Sequence, residues 1–251
     1  MVTFGQKKET RTVSGFTGID ASGAFDITVV KGSTEALTIE TNDAVMPQVR
    51  SEVRNGVLYL YLDGVKKVKN VKTLKATVVM KNLDRVTLSG ACSLTSNDLF
   101  TPDSFNADCS GASDMKINLH TGQLSIKASG ASDISIKANV TGDAGVAISS
   151  ASDFRGELNA KNVIINASSA SDVDISGSAT DFKLEVSGAS DVKAQNFIVK
   201  TATVVSSGSS DITVNVSDTL KVNVSGTSTV KYKGSPTVEM NRSGASTIKK
   251  I

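Results

Sequence analysis

Hydrophobic and polar positions alternate along most of this chain. Between Leu124 and Val140, the residues Leu124, Ile126, Ala128, Ile134, Ile136, Ala138 and Val140 share one parity with Gly130 and Ser132. Ser125, Lys127, Ser129, Ala131, Asp133, Ser135 and Lys137 share the other. The alternation returns over Leu184, Val186, Gly188, Ser190, Val192 and Ala194. A period of two rich in β-branched residues predicts strands with one face in a core and one in solvent.

The alternating stretches are punctuated by a recurring phrase. It reads SGACS at 89–93, SGASD at 110–114 and 129–133, SSASD at 149–153 and 168–172, SGASD at 187–191, SGSSD at 207–211, SGTST at 225–229 and SGAST at 243–247. The mean spacing is about 19 residues, too short for a helix-pair repeat or a propeller blade and suited to one coil of a β-solenoid. Coils stack about 4.8 Å apart, so eight steps make a body about 38 Å long. One coil cannot bury its apolar face alone, so stacking completes the core. If parity runs unbroken through the phrase, its Gly and second Ser face inward and its Asp points out; a turn inside the phrase would reset this.

Residues 1–88 read differently. Phe25, Ile27 and Val29 alternate, Lys31–Thr34 makes a turn, and Leu37 and Ile39 follow. Asn55-Gly56, inside Val53–Leu60, predicts a hairpin, because this pair accepts the two positive φ angles of a type I′ turn. Pro47 limits the stretch Asn42–Glu52 to a turn or so of helix. The expected organisation is an all-β chain with a hairpin-rich region over 1–88 that caps a parallel solenoid over 89–251. The segment ASGAF at 21–25 echoes the phrase and leaves room for a further coil inside the cap.

Composition narrows the function. The 27 basic and 25 acidic residues leave a formal charge of +2, too balanced for a protein that coats nucleic acid or an anionic membrane. Aromatics are 4% of the chain, so stacking platforms for ligands are scarce. One His and two Cys exclude a zinc finger or a disulfide-dense scaffold. No apolar run is long enough to span a bilayer as a helix. The polar amino end has no signal-peptide core, as expected for a cytoplasmic protein or for an exported one in its mature form.

The conspicuous chemical feature is a row of carboxylates at one repeat position: Asp114, Asp133, Asp153, Asp172, Asp191 and Asp211. Unit charges about 5 Å apart repel by roughly 0.8 kcal/mol even in water. The first expectation is that each Asp accepts hydrogen bonds from its own turn, with Lys116, Lys137 and Lys193 as countercharge. The alternative is a row that binds Ca²⁺ or another hard cation. Against the alternative, the glycine-rich nonapeptide of calcium-binding β-rolls is absent, and Thr229 and Thr247 replace Asp in the last two phrases.

Ser129, Ala131, Ser149, Ala151, Ser168, Ala170, Ser187 and Ala189 form a row of small side chains beside the carboxylates. They fit a tight corner, or make a flat face for a polysaccharide, a lattice or another solenoid. Glycoside cleavage needs two carboxyls in unlike settings, whereas these repeat one setting; Asp153 with Arg155 is the only local pair to test. His120 is the sole base for a nucleophilic triad and is expected in an exposed turn. Cys92 and Cys109 are offset by four residues in register, about 13 Å of strand, beyond the roughly 7 Å limit of a disulfide, so two buried free thiols are expected. The basic run Lys66, Lys67, Lys69, Lys72 and Lys75 reads as a solvated edge, with an anionic polymer as the alternative ligand.

The opening TRTVSGFTGIDASGAFDITVVKG, the hairpin NGVLYLYL, the passage LDRVTLSGACSLTS and the succession of SGASD phrases together resemble the family described as "putative auto-transporter adhesin, head GIN domain". The resemblance implies a right-handed β-helix, export to the cell surface, outer membrane or periplasm, and no catalytic residues to carry over. The expected function is a noncatalytic adhesion module that recognises a polysaccharide or protein, with no cofactor unless the Asp row takes Ca²⁺, and with a homo-oligomer compatible. The alternatives are a pectinase-like polysaccharide-cleaving enzyme and an architectural spacer.

Overall fold

The computed structural model describes residues 6–64 and 73–251. The amino-terminal strands are β1 (Gln6–Arg11), β2 (Gly18–Gly23), β3 (Asp26–Lys31), β4 (Ala36–Asn42), β5 (Val49–Arg54), β6 (Val57–Leu62) and β7 (Leu74–Met80). The coils continue through β8 (Arg85–Gly90), β9 (Ser93–Phe100), β10 (Ser104–Cys109), β11 (Asp114–Thr121), β12 (Gln123–Ala128), β13 (Asp133–Val140) and β14 (Asp143–Ile148). In β15 (Asp153–Ala167), β16 (Asp172–Gly188), β17 (Asp191–Gly208) and β18 (Asp211–Val224) the two strands of a coil run together, and β19 (Thr229–Lys233), β20 (Thr237–Arg242) and β21 (Thr247–Lys250) close the series. The result is a β-solenoid of about 9 turns at about 19 residues per coil, with no α-helix among the described residues.

Each coil lays down two strands, and like strands of successive coils pair in parallel. One wall stacks β3, β9, β11, β13 and the first halves of β15 to β18. The other stacks β2, β8, β10, β12, β14 and the second halves. Alternate side chains of both walls, from Ile19 to Val230, meet in one contiguous core. The 21-residue step between the first two phrases is absorbed by a register shift between Lys116 and Asn118 opposite Thr95 and Leu99.

The phrase forms the corner that returns the chain from the second wall to the first. Gly130 takes φ +82°, and a Cβ there would lie 2.3 Å from the carbonyl oxygen of Gly111 in the preceding coil. The glycine therefore serves chain reversal and close stacking, not the inward position that unbroken parity predicts. Ser132 is fully buried, as that parity predicts, and Asp133 points out. Between Gly130 and Ser132, the Ala131 N–H donates to the Gly111 carbonyl at 2.7 Å, one rung of a hydrogen-bond ladder along the corner.

At the amino-terminal end, β6 pairs in parallel on β2, and β5 folds back on β6 through Asn55 (φ 49°) and Gly56 (φ 76°), the expected hairpin. On the other wall β7 covers β3, β4 runs antiparallel to β7, and β1 runs antiparallel to β4. A helical turn, Met46–Gln48, contains Pro47 and buries Met46. The two wall edges are tied by Arg11, whose Nη1 donates to the Val49 carbonyl at 2.9 Å and to Ser51 Oγ at 3.0 Å.

Candidate functional site

The parallel register brings the predicted carboxylates together. Asp114, Asp133, Asp153, Asp172 and Asp191 are successive partners, and Asp211 follows in the coil paired through Val192 and Ile212. Ser93 and Asp26 extend the column toward the amino terminus, and Thr229 and Thr247 extend it toward the carboxyl end. Asp26 is the member that the sequence pattern missed. Its phrase is Ser22-Gly23-Ala24-Phe25-Asp26, with a buried Phe in place of the usual Ser.

The aspartates do not hold their own turns. That work falls to the buried serines: Ser113 Oγ donates to the Ser110 carbonyl at 2.8 Å, Ser132 to Ser129 at 2.9 Å and Ser171 to Ser168 at 2.8 Å. A side chain that points out after the corner cannot reach back into it. Among the described residues no predicted lysine forms an ion pair with the row, although Lys193 lines one recess with Asp172 and Asp191. Lys137 pairs with Glu157 at 2.9 Å, whereas Arg155 reaches Asp153 at 3.0 Å and Asp133 at 3.5 Å. Burial, and then the neighbouring Asp133, push the Asp114 carboxyl above the usual carboxylate range. Among the described residues no three carboxylate, thiol or imidazole groups converge to hold a metal ion.

The remaining sequence candidates stand apart from the row. His120 lies near the end of β11, exposed and opposite Asn139, rather than in the expected turn. Cys92 and Cys109 are free and buried, as expected. Cys92 occupies the buried-serine position and donates its thiol to the Ser89 carbonyl at 3.3 Å. Burial pushes the Cys109 thiol up to about 12. Lys66, Lys67, Lys69 and Lys72 lie outside the described residues, and Lys75 is exposed on β7.

The second wall carries a feature that the sequence did not reveal, a groove of about 650 Å³ across its outer face. Its floor is the outward column Asn106, Ser125, Gly145, Ile164, Lys183 and Thr203, one residue per coil. Beside it runs a polar column that includes Gln123, Asp143, Asn162, Asp181 and Thr201. Asn162 Nδ2 donates to Asp143 Oδ1 at 2.7 Å, and the Thr201 hydroxyl donates to the Asp181 carboxylate. The signal in the sequence was Gly145, which interrupts the outward side chains at the centre of the column.

Two continuous walls and a corner built on one phrase define a parallel β-solenoid with repetitive outer faces. The family model "Putative auto-transporter adhesin, head GIN domain" matches residues 15–142 and 135–236, and the chain belongs to that family. Three solved structures share the fold. A "putative adhesin" of Parabacteroides merdae is 17% identical at TM-score 0.74, covering 98% of this chain and 96% of its own. A "putative adhesin" of Parabacteroides distasonis is 19% identical at TM-score 0.73, covering 99% and 98%. A "putative lipid binding protein" of the same species is 17% identical at TM-score 0.69, covering 98% and 96%. No curated protein matches the chain.

Proposed function

We propose that this protein is a noncatalytic adhesion module, exported to the cell surface or periplasm, that recognises a polysaccharide or protein surface through its repetitive outer faces. The observation that carries this reading is the pair of outward columns that stay aligned from coil to coil, Asp114 to Asp191 on the first wall and Asn106 to Thr203 on the second. Such columns offer a partner many equivalent contacts, each weak, whose sum gives hold. Membership of an adhesin family supports the same direction. Glycoside cleavage requires one carboxyl kept protonated and another ionised. Here the Asp153–Arg155 pair is engaged, because Arg155 bridges Asp133 and Asp153 as a countercharge.

A panel of glycans, extracellular proteins and lipid vesicles tests the reading, with the protein added with and without Ca²⁺ and scored for retention and for product release. Saturable retention without cleavage is the expected result. Released product would overturn the noncatalytic assignment, and loss of retention on chelation would assign Ca²⁺ to the Asp row. Protease shaving of intact cells tests the location: cleavage of this chain on intact cells is expected for surface display.

A further inference from the structure

We propose that the groove on the second wall seats a neutral, extended polysaccharide chain lying along the solenoid axis. The proposal rests on the adhesion reading and names its site and ligand class. From Asn106 to Thr203 the floor crosses six coils, about 24 Å at the spacing of paired strands. That spacing is close to the advance of one sugar in an extended chain, so successive sugars meet successive coils.

The chemistry of the lining selects the ligand. Amide, hydroxyl and carboxylate groups alternate along the polar column, and Asp143 and Asp181 are held in place by Asn162 and Thr201. They act as oriented acceptors for sugar hydroxyls. Lys183, the cation in the floor, is paired with Glu185 at 2.8 Å. With Lys183 engaged by Glu185, Asp143 and Asp181 leave the groove weakly acidic, which disfavours a polyanion, while the hydrogen bonds from Asn162 and Thr201 fix both carboxylates as acceptors. Ile164 is 45% exposed in the floor and offers an apolar contact to the C–H face of a sugar ring. A protein partner would call for aromatic or arginine anchors, and the one aromatic residue of the lining, Phe182, is 3% exposed.

Gly145 provides the test. Its φ is not left-handed, and an added Cβ would meet only the Leu124 carbonyl oxygen at 3.9 Å, an ordinary contact. A larger side chain therefore fills the groove and leaves the core intact. The probes are linear β-1,4-linked oligosaccharides of glucose, mannose and xylose, from dimer to hexamer, with hexagalacturonate as the charged comparator. We expect at least one neutral hexamer to bind, with affinity rising with length. Gly145→Glu and Gly145→Arg should each weaken it by about tenfold or more, with the thermal midpoint unchanged. Ser125→Glu, on the neighbouring coil, serves as the second variant should either fail to fold. His120→Gln, on the other wall and apart from the Asp row, should leave binding unchanged.

Binding that moves in opposite directions with Glu and Arg would identify a charged ligand, anionic if it rises with Arg and cationic if it rises with Glu, and would overturn the proposal. So would the absence of neutral-glycan binding, or binding indifferent to all three groove variants. If the broader panel still shows saturable retention, the adhesion reading stands and only the groove assignment falls. If nothing in the panel is retained, both fall.

Discussion

The hydroxyl of Ser132 donates to the carbonyl of Ser129 at 2.9 Å inside the corner of its coil, and Ser132 is fully buried. This bond, repeated in other coils, closes a reversal of three residues and pins the strand that follows. Ser132→Ala should destabilise the protein by about 1 kcal/mol, because it leaves a carbonyl without its buried donor. Ser132→Cys should cost less, since Cys92 makes the equivalent bond in an earlier coil. Urea unfolding of both variants checks the order.

The glycine one place after Ser129 makes a sharper demand. Gly130→Ala places a Cβ 2.3 Å from the Gly111 oxygen, in a left-handed conformation, and should cost about 2 kcal/mol or more. Ser150 and Ser169 hold the same conformation, at φ 69° and 71°, without glycine. Ser150→Gly and Ser169→Gly should each stabilise by about 1 kcal/mol. Thermal unfolding should move in opposite directions for the two kinds of change, and a stabilising Gly130→Ala would refute this account of the corner.

The Cys109 thiol is raised from 9.0 to about 12 chiefly by burial, so the folded state favours its neutral form. Its contribution is complete below pH about 9, where the unfolded thiol is also protonated, and is lost as pH rises from there to about 12. Stability should decline over that alkaline window, and Cys109→Ala should reduce the slope. Both thiols should resist a thiol reagent in the native protein and react after unfolding.

Asp114 is raised by burial and by Asp133. Its folded state prefers the protonated form, so stability from this site is present in acid, below the ordinary value of 3.8, and is lost as pH rises through the folded pKa. Asp114→Asn should therefore stabilise the protein at neutral pH and have little effect in acid. Denaturant midpoints at the two pH values measure the difference, and equal effects would show that the charge is not what strains the column.

Much of the architecture was legible because its causes are local. Alternation marked the strands, the spacing of the phrase marked the coils, and Asn55-Gly56 marked the hairpin through its own backbone preferences. The same pattern placed Ser132 inside and Asp133 outside. It misassigned the turn hydrogen bonds to the aspartates because Ser and Asp both make them in short sequences, and only the direction of each side chain at the corner separates them. Asp26 escaped because Phe25 hides the phrase, although its position opposite Ser93 is plain once the strands pair.

By itself, then, the sequence determined the β-solenoid, its coil length and the row of aspartates, since each follows from periods of two and about 19 residues along the chain. The tertiary structure alone decided that Arg155 spans two rungs, that Arg11 ties β1 to β5 across the two wall edges, and that Gly145 and Ile164 lie in the floor of a groove. Those relationships depend on which residues of neighbouring coils lie side by side. Away from the repeated phrase, register between coils is set by bulges and core packing together, and no local pattern carries it.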